Sequence, residues 1–181
     1  MNPVDILAEH YDPASDLYQM LVKHGQAVAR KAKQAAETVP HLNPDQEFIE
    51  QAAMLHDIGI FLTNTPALGC YGADPYICHG HIGRNLLEQK GLPRHALVCE
   101  RHVGTGIRAE DIRTHGLPLP EHDMMPVSIE EILVCYADKF FSKTWGQEHR
   151  QKRIEEILGG LKLHGQEQAD TFLEWVGLFE S

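Results

Sequence analysis

Cys70, Cys78, Cys99 and Cys135 are scattered, and no two of them form a CxxC pair. A thiolate zinc site or a redox motif needs that close spacing, so reduced cysteines in or near the core are expected. Long apolar runs are also missing. None approaches the ~18 residues that span a bilayer, so no membrane partner is expected. Met1-Asn2-Pro3-Val4-Asp5 lacks the basic start and apolar stretch of a signal peptide; the expected compartment is the cytoplasm. Positive charge is scarce: 16 Lys and Arg face 26 Asp and Glu, a formal net charge of −10. Nucleic-acid surfaces need clustered Lys and Arg, so this balance argues against one. It still allows a small phosphorylated substrate, because a bound metal reverses the local field.

Histidine, by contrast, is plentiful, with 12 in 181 residues. Hydrophobic residues make up 43% of the chain, enough for one globular domain with a real core. The pattern is helical, with no convincing alternating strand. From Pro13 to about Thr38, Leu17, Leu21, His24 and Val28 recur at helical spacing, which places His24 on an apolar stripe. Asn43 reads as an N-cap with Pro44 at the first helical position. The helix that follows carries Phe48, Ala52 and His56 on one stripe and is stopped by Gly59. Residues 61–76 read as a loop, and helices follow over about 77–90 and 94–103. Residues 116–127, with three prolines, form a second long loop, and both loops are candidate pocket walls. Ser128 and Glu131 form a capping box that opens a helix through Leu133, Tyr136 and Phe140. Two amphipathic helices, about 151–163 and 166–179, end the chain. The expected fold is a single all-α domain over 1–181.

Metal-capable side chains stand where such a core should be apolar. They are His24, the adjacent His56 and Asp57, the histidines of Cys78-His79-Gly80-His81, His102, and Asp138 within Tyr136-Ala137-Asp138-Lys139. Burying imidazoles and carboxylates without a partner is costly, so several on facing helices suggest a shared one, most economically a divalent cation. His and Asp ligands without thiolates suit Fe, Mn, Co, Ni or Zn, with Mg less favoured.

Met54-Leu55-His56-Asp57-Ile58-Gly59 resembles the HDIG signature of the HD superfamily of metal-dependent phosphohydrolases. That family's order is an early helical His, then His-Asp, then a late helical Asp. It maps onto His24, His56, Asp57 and Asp138, and the resemblance covers about 15–145, leaving the helices over about 151–180 outside. His79-Gly80-His81-Ile82-Gly83 looks like the His-Gly-x-x-Gly helix start of the bacterial diadenosine tetraphosphate hydrolases, which makes His79 a ligand, with His81 as the substitute. Arg101-His102-Val103-Gly104-Thr105-Gly106 is similar to the family's histidine followed by a glycine-containing loop.

The resemblance implies a helical bundle and two metals held by His24, His56, Asp57, His79, His102 and Asp138. Asp57 would bridge, position a metal-activated water and accept its proton. The implied reaction is hydrolysis of a phosphoester or phosphoanhydride in a nucleotide-like small molecule. Arg101, Lys139 and Lys143, the basic residues nearest these ligands in sequence, are candidate phosphate contacts. Two other functions stay open: a di-iron oxygenase acting on a polyol or phosphonate, as in inositol oxygenase, and a non-catalytic metal-bearing sensor. His10, His41, His95, His115, His122, His149 and His164 fall in turns, loops or polar faces and need no function. The stripe of Leu158, Leu161, Phe172, Trp175 and Phe179 reads as core packing or as the face of a homodimer.

Overall fold

The computed structural model describes residues 1–146 and 150–180, so His149 lies outside the described residues. It is all-α apart from one small hairpin. The elements are α1 (Pro3–Ala8), α2 (Asp16–Thr38), α3 (Gln46–Leu55), a 3-10 turn (Ile58–Leu62), β1 (Asn64–Thr65), β2 (Cys70–Tyr71), α4 (His79–Gln89), α5 (Pro93–Arg101), α6 (Ala109–His115), α7 (Ile129–Asp138), α8 (Ile154–Lys162) and α9 (Gln166–Phe179). No helix among the described residues is long and apolar enough to cross a membrane.

Local chemistry sets the helix starts. Ser15 Oγ accepts from the Tyr18 N–H at 3.2 Å and opens α2, and Ser128 Oγ accepts from the Glu131 N–H at 3.2 Å and opens α7. The expected capping box at α7 is only half formed. The Glu131 carboxylate takes the Val127 N–H at 2.9 Å and the Arg101 guanidinium at 2.8 Å. Asn43 is not the cap of α3. It is left-handed, at φ 49°, and closes a 3-10 turn over Pro40–Leu42, a conformation that its short polar side chain tolerates. Asp45 caps α3 instead, accepting from the Phe48 N–H at 3.0 Å. The loop expected over 61–76 contains the hairpin, with Asn64 paired to Tyr71 and Thr65 to Cys70. Helices α1 and α6 were not expected, because six and seven residues are too few to show a period.

Apolar packing divides into two main clusters. The larger joins the C-terminal part of α2 to α3, α7, α8 and α9, with Val28, Ile49, Leu133, Tyr136 and Phe172 fully buried. The second gathers α1, the start of α2, the 3-10 turn, α4 and α5 around Leu7, Met20, Leu55, Ile58 and Leu87. On α2, Leu21 belongs to one cluster and Val28 to the other, and His24 lies between them in the sequence. All four cysteines are buried and none is in a disulfide.

Two glycines let the second cluster close tightly. A Cβ on Gly59 would stand 2.2 Å from the His79 carbonyl oxygen, and one on Gly80 2.5 Å from that of Cys99. Gly59 therefore does not terminate α3, which already ends at Leu55. Its bare backbone brings the 3-10 turn onto α4, as Gly80 brings α4 onto α5.

Candidate metal centre

His24 comes from the middle of α2, His56 is the C-cap of α3, Asp57 follows it, and Asp138 ends α7. Their donor atoms converge. His24 Nε2 lies 3.0 Å from Asp138 Oδ1, 3.3 Å from His56 Nε2 and 3.4 Å from Asp57 Oδ2. His56 Nε2 lies 3.0 Å from Asp57 Oδ2 and 3.3 Å from Asp138 Oδ1. A second group meets at the other Asp57 oxygen. Oδ1 is 3.4 Å from Nε2 of both His79 and His102, which are 3.0 Å from each other. All six residues are buried.

These spacings suit a small cation. Atoms about 2.1 Å from a common centre stand about 3.0 Å apart at right angles and about 3.4 Å apart at the tetrahedral angle. The tautomers support the same reading. His56, His79 and His102 each donate Nδ1–H to the carbonyl three residues earlier, of Ala53 (2.6 Å), Tyr76 (2.6 Å) and Cys99 (2.7 Å). A carbonyl only accepts, so Nδ1 carries the hydrogen and, in the neutral ring, Nε2 presents a lone pair to the site. In the second group two such lone pairs face each other beside a carboxylate, an arrangement that a cation resolves. Among the described residues, neither Asp57 oxygen accepts a well-aligned hydrogen bond and His24 Nδ1 has no hydrogen-bond partner.

Charge in the site is strongly perturbed. Burial pushes the Asp57 carboxyl up, but the His56 charge and the Lys143 ammonium outweigh it and hold it well below the usual range. Asp138 is likewise held down against its burial by Lys139 and Lys143. Burial works to lower His56 too, yet the two carboxylates raise it to about 9. His102 is depressed to about 3, by burial first and by the His56 charge. Burial and Lys143 also lower His24.

The basic residues differ in placement. Lys143 Nζ lies 2.9 Å from Asp57 Oδ2 and 3.6 Å from Asp138 Oδ1. Lys139 bridges Asp138 Oδ2 (2.8 Å) and the His102 carbonyl (3.0 Å). The Arg101 guanidinium is engaged by Glu131 rather than turned to the ligands. His81 does not join either group; its ring lies beside Glu100 (3.6 Å) and Asn85 (3.2 Å). Asp138 and Lys139 also line a cavity of about 810 Å³, walled by Tyr76, Ile107, Phe141 and the inner face of α8. Lys152 lines it too, and sequence reading missed it because Arg150-Gln151-Lys152-Arg153 carries no pattern that sets one cation apart.

A sequence model of the HD domain matches residues 21–142. An uncharacterised protein of Methanocaldococcus jannaschii is 31% identical over 138 residues, 75% of this chain and 70% of its own length. Two proteins named tRNA (cytidine(56)-2'-O)-methyltransferase are also similar. The one from Picrophilus torridus is 32% identical over 124 residues, covering 68% of this chain, and the one from Thermoplasma volcanium is 27% identical over 150 residues, covering 82%. This chain spans only 32% and 38% of their respective lengths. No solved structure matches.

Proposed function

The chain belongs to the HD domain family, and on that premise we propose that it is a metal-dependent phosphohydrolase acting on a nucleotide-like small molecule. The observation that carries the reading is the convergence of six buried donors on the two oxygens of Asp57, with three imidazoles locked so that Nε2 faces inward. His24, His56, Asp57 and Asp138 would hold one divalent ion; Asp57, His79 and His102 would hold a second. Fe, Mn, Co, Ni or Zn suits this oxygen and imidazole set. Such ions supply acidified water and charge neutralisation at a phosphoryl oxygen.

The protein's own part is positional and electrostatic. Asp57 is the catalytic residue of this reading: ionised, it touches both ligand groups and sets their separation. Lys143, 2.9 Å from Asp57 Oδ2 and 3.6 Å from Asp138 Oδ1, balances the two carboxylates, and its ammonium would face the phosphate oxygens of a substrate held there. Lys139, at the border of the cavity, holds Asp138 against the His102 carbonyl and can add a phosphate contact. Arg101 ties α5 to α7 through Glu131.

This chain spans only 32% and 38% of the lengths of the two methyltransferases, so no methyl-transfer step is carried over. The net charge of −10 supports a small substrate rather than a nucleic acid. We read 1–181 as one folding unit, because α8 and α9 share the larger apolar cluster with α2, α3 and α7.

Phosphate release from a panel of nucleotides and dinucleoside polyphosphates, followed under anaerobic conditions, tests the reading. Chelation should abolish release and a divalent transition metal should restore it. Release indifferent to chelation, or turnover that consumes oxygen, would overturn it.

A further inference from the structure

Among the described residues, the cations around the metal centre are nearly all paired. Lys143 is held by Asp57, Lys139 by Asp138 and Arg101 by Glu131. Lys152 is the exception. Its backbone N–H donates to the Phe140 carbonyl at 2.7 Å, which ties it to the end of α7. Its half-buried side chain lines the cavity beside Asp138 and Lys139 without a hydrogen-bond or ion-pair partner among the described residues. Glu156, which also lines the cavity, is taken by Arg150 at 2.7 Å. An ammonium partly withdrawn from water without a hydrogen-bonded partner is unfavourable; burial lowers its pKa, the charges of Lys139 and Lys143 add to that, and the Asp138 and Glu156 carboxylates oppose it from a distance.

Next to this charge the cavity turns apolar. Ile157 and Leu161 of α8 line it together with Ile107 and Phe141. A Cβ added at Gly160 would meet no atom within 4 Å, so α8 offers bare backbone and open space here. A volume of about 810 Å³, mostly apolar with a few polar groups, fits an organic ligand rather than a bare phosphate.

We infer that Lys152 and the inner face of α8 form a specificity region, with Lys152 taking a second anionic group of an organic polyphosphate while Ile157 and Leu161 pack its apolar body. The inference rests on the hydrolase reading only for the first phosphate, which that reading places at the metal centre. Lys152 and α8 lie outside residues 21–142, the part matched by the HD domain.

Calorimetric binding of AMP and ADP to the metal-loaded full chain tests it. Wild type should bind ADP about tenfold more tightly than AMP, the scale of one charge-assisted contact. Lys152→Gln should remove that preference with metal content unchanged, and Lys152→Arg should restore most of it. Gly160→Phe should weaken both ligands while the melting temperature holds. Equal binding of AMP and ADP by wild type, a preference that survives Lys152→Gln, or no binding of either overturns the inference. An ADP preference that depends on Lys152, without metal-dependent phosphate release, supports it and overturns the hydrolase reading alone.

Discussion

The two ligand groups share Asp57 and the same side-chain types, yet they are built in different ways. His24, His56 and Asp138 come from α2, α3 and α7, whose packing against one another makes the larger apolar cluster. His79 and His102 stand at the first residue of α4 and the C-cap of α5. Those helices meet through the close backbone approach that Gly80 permits, and Gly59 lets the 3-10 turn press onto α4. The first group holds two carboxylates; the second holds one oxygen of a shared carboxylate. Core packing secures the first group and close backbone approach the second, so the first should bind metal more tightly and withstand more disturbance.

Removing the shared residue should have the largest effect. Asp57→Ala should strip metal from both groups, and elemental analysis should fall from about two ions per chain to almost none, because each group loses a charged ligand. Retention of one ion would show that the groups are independent.

The single-group variants should separate the two. His102→Ala should leave one ion per chain in the first group. His24→Ala should weaken the tighter site by more than the 10- to 100-fold typical of losing an outer-shell partner. If His102→Ala instead releases both ions, the second group is the anchor.

The smallest expected effect is on pH dependence. His56 is raised in the folded protein to about 9 from 6.5, so its contribution to stability is full below pH 6.5 and is lost as pH rises through about 9. The melting temperature of metal-free protein should therefore fall across that window. Metal uptake by the first group should strengthen there, by up to about tenfold per pH unit, because the ion displaces the His56 proton. His102 is already uncharged throughout that range, so uptake in a His24→Ala background should change less. Cobalt titration by absorbance across this range would register either trend.

Much of this site was legible in the chain. His56 and Asp57 are adjacent, His24 sits on an apolar stripe, and Asp138 lies near the end of a strongly amphipathic helix. Each of these is a local pattern, and helical period exposes it. His79 over His81 required the family resemblance, since both lie in the first turn of α4 and only the fold shows that His81 faces Glu100. Arg101 looked as available as Lys143, but Glu131, 30 residues away, engages it. Gly59 looked like a helix stop, and its reason turned out to be the His79 carbonyl pressed against it.

What the sequence by itself determined is the set of helices, the chemistry of the donors and their order along the chain, because periodicity, capping and side-chain type act over a few residues. The tertiary structure decided that one carboxylate serves two groups, that Lys143 turns inward while Arg101 is taken by Glu131, and that α8 walls the cavity with Lys152 at its edge. Those outcomes depend on which helix faces meet across more than a hundred residues of chain, as His24 meets Asp138, and no local pattern encodes a meeting at that range.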